Sequence, residues 1–143
     1  MSDQVLKLVI GAVLLVHALG HGGALGALLW IRLRPGAGTG NWAAARTWLM
    51  PSLPAETAAT LASAFWIAAL VGFAIAALSF WGLVLPTGVW PSVALGSAVV
   101  STIGIVVFIG TWPVFNTLAA LAVNVAVLVA VGADWPPQSV FGI

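Results

Sequence analysis

Two histidines, His17 and His21, stand four residues apart inside an apolar run that extends from Val5 to Ile31. Residues at this spacing share one face of a helix, so both imidazoles can address a single object. Between Lys7 and Arg32 the sequence has no other ionisable group. An imidazole at membrane depth is costly and therefore marks a candidate functional site, here as a cofactor-binding pair.

Four chemistries compete for the pair. The rings can bond Asn124, Ser101 or a backbone carbonyl and fix packing between helices. They can bind a metal, although catalytic zinc normally takes three protein ligands and a water. The only further candidate ligands are Glu56 and Asp134, both near segment ends, and the intervening Ala18, Leu19 and Gly20 exclude the H-E-x-x-H signature. One ring can ligate a haem or other tetrapyrrole, but two rings on one helical face cannot clamp both sides of it. The pair can also serve proton or lipid head-group chemistry, since imidazole titrates within the physiological range. No particular metal or cofactor is named by these residues.

The elements that must carry the histidines are hydrophobic. Of 143 residues, 62% are hydrophobic and 5% charged. The mean hydropathy is +1.18, whereas soluble domains carry about 25% charged residues. Four cations and three anions cannot cover the surface of a soluble fold, so the chain reads as a single integral membrane domain over 1–143. The absence of Cys removes disulfides, thiolate metal sites and thiol catalysis. A net charge of +1 with no basic patch excludes nucleic acid as a partner. The opening apolar run is too long for the h-region of a cleaved secretory signal.

Four apolar segments follow, at about 5–31, 57–85, 91–110 and 113–131. Each can cross a hydrocarbon core of about 30 Å, which takes about 20 helical residues. Pro35-Gly36, Pro86-Thr87-Gly88 and Gly132-Ala133-Asp134 supply the stops, and Pro91 and Pro113 open the last two segments. The fold expected is all-α, a four-transmembrane-helix bundle with an interfacial segment between helices 1 and 2. In that segment Trp42 and Trp48 would anchor a short amphipathic helix ending at Pro51, with an irregular loop as the alternative. Arg32, Arg34 and Arg46 all lie in the 32–56 connection. The positive-inside rule places it in the cytoplasm of a plasma-membrane protein, with both termini outside.

Helices in lipid associate through small residues and polar contacts. Ala18, Gly22 and Gly26 form one four-residue register, and Ala68, Gly72 and Ala76 form another. The third segment offers Ala94, Ala98 and Thr102 beside Ser97 and Ser101. Asn116, Thr117 and Asn124 share one side of the fourth. Ser97, Ser101, Asn116 and Asn124 are thus expected as polar interhelical contacts. No acid or base accompanies them at depth, which disfavours an ion-coupled transporter or pump. Ser63, Ser97 and Ser101 lack the elbow motif of a serine hydrolase.

The pattern Leu15-Val16-His17-Ala18-Leu19-Gly20-His21, together with Phe65-Trp66-Ile67-Ala68-Ala69-Leu70-Val71-Gly72-Phe73 and the Asn124-bearing last helix, resembles a group of small four-helix membrane proteins of bacteria and archaea. The resemblance implies a four-helix architecture with histidines on the first helix, and no activity. In architecture alone the chain is also similar to DoxX-like proteins. The function expected is non-enzymatic: a subunit or accessory protein packing against lipid or partner helices, as a homo-oligomer or in a larger membrane complex. The alternative is a membrane-embedded histidine site for a metal, haem or other cofactor. A passive channel or lipid carrier would need a lumen more polar than the stripe of Ser97, Ser101 and Asn124.

Overall fold

Aliphatic runs punctuated by Pro and Gly give helices with sharp ends. The computed structural model describes residues 2–34, 45–136 and 140, and among them the regular structure is wholly helical. Helix α1 spans Asp3–Leu33, α2 Ala55–Phe80, α3 Trp90–Val107 and α4 Val114–Gly132. A 3-10 turn at Thr87–Val89 leads into α3. All four helices are long and apolar enough to span a membrane, α3 together with its 3-10 turn, which makes the chain compatible with a small integral membrane protein.

The ends follow from local chemistry. The Ser2 hydroxyl accepts from the Val5 amide and starts α1 two residues before the expected boundary. α2 stops at Phe80 rather than at 85. Gly82 adopts φ +75°, and the Gly82 and Leu83 amides turn back to the Ser79 and Leu78 carbonyls. That left-handed closure satisfies carbonyls the helix would otherwise leave bare. α3 ends at Val107 instead of 110, before Gly110 at φ +85°. Asp134, at φ 50°, closes α4 through the Trp135 amide to the Ala130 carbonyl. Residues 45–50 form no helix. Trp42 and the rest of the expected interfacial helix lie outside the described residues. The Trp48 indole instead donates to the Val106 carbonyl at 2.8 Å, fastening this segment to the end of α3.

Consecutive helices pack together, α1 on α2, α2 on α3 and α3 on α4, whereas α1 scarcely meets α4. The core has two parts. One gathers Leu14, Ala18, Phe73, Phe80, Trp90, Ala98 and Val127. The other gathers Leu28, Ala58, Ala62, Trp66, Ile105 and Phe108. Trp90 is a core residue packed edge-on to Phe80. At Gly72 α2 lies close against α3, since a Cβ there would collide with the Ser97 hydroxyl. Small residues at such points let backbones approach and gain dispersion contacts, the main attraction left when lipid removes the hydrophobic drive.

Candidate functional site

Between the two apolar clusters lies one polar layer, built by three helices. α1 contributes His17 and His21, α3 contributes Ser101 and Thr102, and α4 contributes Asn124. The Nε2 atom of His17 is 2.9 Å from Asn124 Oδ1. The Asn124 amide nitrogen donates to Ser101 Oγ at 2.8 Å and to Thr102 Oγ1 at 3.1 Å. Ser101 Oγ is in turn 3.1 Å from His21 Nε2. Residues at opposite ends of the sequence are thus joined in one circuit, His17–Asn124–Ser101–His21.

Aromatic rings enclose the layer. The two imidazoles meet edge-on with centroids 4.9 Å apart. His17 also meets Phe73 edge-on at 4.6 Å, while His21 stacks against Trp66 at 5.6 Å. His21 is 5% exposed, and Asn124 and Ser101 are fully buried. A buried amide or hydroxyl without partners costs roughly 1–3 kcal/mol, so the circuit removes a penalty as well as joining helices. Trp66 Nε1 has no such relief: it is buried without a hydrogen-bond partner among the described residues.

Beside this layer runs a cleft of about 870 Å³ between α1 and α4. Along α1 it extends from Val9 to Ala27, about 27 Å at 1.5 Å per residue. Its walls are mostly Val, Ala, Gly and Phe, with Asn116 and Thr117 on α4. His17, His21 and Trp66 line it. The cleft exists because α4 turns little of its surface inward: Asn124 and Val127 are its buried residues, and Phe115 is 80% exposed. Its size lies within the ordinary range for small-molecule sites, about 300–1,000 Å³.

The other residues singled out by the sequence take varied places. Ser101 and Asn124 meet across α3 and α4, but Ser97 donates to the Val93 carbonyl of its own helix at 2.7 Å. Asn116 is exposed on α4 and lines the cleft rather than bonding another helix. Ala18 and Ala76 are buried at helix contacts, and Gly22 faces Leu70. Gly26 has open space where a Cβ would stand, and Ala68 is exposed. A four-residue register drifts around a helix of 3.6 residues per turn, which carries one end of each, Gly26 and Ala68, off the contact. Trp66, Thr102 and Gly104 belong to the site or its walls without having been singled out for it. Gly104, three residues after Ser101, lets Trp66 and Phe65 lie against α3. Among the described residues no three His, Cys, Asp or Glu side chains group as a metal site.

Comparison with protein-family models, with characterised proteins and with solved structures finds no match for this chain.

Proposed function

We propose that the protein is a non-catalytic integral membrane protein that receives an apolar guest from the bilayer plane in the cleft between α1 and α4. The observation carrying this reading is the cleft itself, apolar along most of its length and floored by the only polar side chains that α1 holds at depth. A pocket with apolar walls and a few convergent polar groups is the usual form of a small-molecule site. Metal ligation is less favoured, because among the described residues no third His, Cys, Asp or Glu side chain joins the pair. In the bilayer the connection bearing Arg32, Arg34 and Arg46 would face the cytoplasm of a plasma membrane, with both termini outside. Arg34 lying 4.0 Å over the Trp30 ring suits that end of α1 to the interface.

Native mass spectrometry of protein released from lipid nanodiscs tests the proposal. Wild-type protein should carry a single apolar adduct, which Ala120→Trp, filling the cleft wall, removes. Bare protein, or an adduct pattern unchanged by Ala120→Trp, would contradict it. A second reading, an accessory subunit of a homo-oligomer or larger membrane complex, is favoured by the bare face of α4. A partner helix would then fill the same cleft, and the spectrum would show a stoichiometric complex instead of an adduct.

A further inference from the structure

The hydrogen-bond circuit restricts which protons the histidines carry, and so what they offer to the cleft. A neutral imidazole has one N–H donor and one bare acceptor nitrogen. No carboxylate stands in this layer, since the acids Asp3, Glu56 and Asp134 sit at helix ends. An uncompensated charge buried there would be expensive, which favours neutral rings.

With Asn124 oriented as described, its Oδ1 accepts from His17 Nε2–H. Its amide donates to Ser101 Oγ. The Ser101 hydroxyl then has one partner left for its own proton, His21 Nε2. His17 therefore keeps a bare Nδ1, and His21 carries its proton on Nδ1. Turning the Asn124 amide end for end reverses every donor and acceptor. Ser101 and Thr102 then donate to Oδ1, His21 Nε2–H donates to Ser101, and the amide donates to His17. Mixed arrangements leave two acceptors facing each other or strand the serine proton. Both self-consistent polarities leave one Nδ1 as a donor and the other as an acceptor.

Neither Nδ1 has a hydrogen-bond partner among the described residues. Neither is sealed, because the enclosed unpartnered atoms include Trp66 Nε1 and Ser79 Oγ but no histidine nitrogen. Both rings line the cleft. We infer that the cleft binds a long, neutral lipophile with a hydroxyl head, its O–H donating to one Nδ1 and its oxygen accepting from an N–H of the other imidazole. This rests on the cleft-binding reading above and names its ligand class. A hydroxyl matches the complementary pair whichever way the circuit runs, whereas an ether or ketone can only accept. The chain of such a molecule would lie along the Val, Ala and Gly wall of α1.

The test uses full-length protein in phosphatidylcholine nanodiscs with two photoreactive probes, a diazirine-bearing hexadecanol and its methyl ether. Labelled peptides are mapped and affinities are taken from the concentration dependence. The alcohol should label α1 and α4 with about tenfold higher affinity than the ether, the worth of one additional hydrogen bond at about 1.4 kcal/mol. The double variant H17F/H21F should bind both probes at the ether's level. Equal labelling by alcohol and ether in the wild-type protein would overturn the hydroxyl inference while leaving the cleft reading standing. No labelling of the cleft by either probe would overturn both. The wild-type comparison decides the matter even where the double variant fails to fold.

Discussion

His17 Nε2 and Asn124 Oδ1 meet at 2.9 Å across 107 residues of sequence, joining the first helix to the last. These two helices otherwise scarcely touch. The bond therefore holds together the two walls of the cleft, while the same amide reaches Ser101 and Thr102 on α3. One side chain on α4 thus sets the spacing of three helices.

Replacing Asn124 by Leu should cost the most of any single change in the layer. It leaves His17 and Ser101 without their partner in a dry interior, about 1–3 kcal/mol. Reversible unfolding in mixed detergent micelles should show that loss, and α4 should become more accessible to lipid-soluble quenchers. A variant as stable as wild type would remove the amide from the account.

Ser101→Ala and Ser97→Ala should differ although the residues lie one turn apart. Ser101 links Asn124 to His21, so its loss should cost about 1 kcal/mol. The Ser97 hydroxyl is bonded within its own helix and presses on Gly72. Ser97→Ala should stay within about 0.5 kcal/mol of wild type. Paired unfolding curves in one detergent check the contrast.

Gly72→Val should force α2 and α3 apart and destabilise by about 1–3 kcal/mol through overpacking. Gly26→Ala, where a Cβ enters open space, should instead be neutral or gain up to about 1 kcal/mol of helix propensity. Thermal melts of the two variants should move in opposite directions or leave Gly26→Ala unchanged.

Gly82→Ala should loosen the end of α2. Its φ of +75° lies in the left-handed region, which costs a residue with a Cβ about 1 kcal/mol. Amide exchange at Gly82 and Leu83, whose N–H groups close the helix, should accelerate more than exchange in the middle of α2.

Much of this architecture was readable from the residues. Long apolar runs bounded by Pro and Gly define four helices because no other backbone satisfies its own hydrogen bonds in hydrocarbon. The spacing of His17 and His21 put both rings on one face. Helix ends were less legible, because Leu83, Val84 and Leu85 prolong the apolar run after Gly82 has already closed α2. Periodicity also could not tell which small residues touch: Gly72 does, while Gly26 faces open space. That distinction depends on how far each helix leans from its neighbour. The cleft was invisible in the sequence, because it arises from a contact that α1 and α4 do not make. The stacking of Trp66 on His21 was equally hidden, because it depends on the α1–α2 packing.

The central claim is that the circuit leaves the two imidazoles with opposite proton placements. Solid-state NMR of the protein in lipid, with histidine ring nitrogens isotopically labelled and assigned through H17F and H21F, reads this directly. The account predicts two neutral rings, one protonated on Nδ1 and the other on Nε2, with Ser101→Ala abolishing the fixed difference. Two rings in the same tautomer in the wild-type protein, or either ring as an imidazolium, would contradict it.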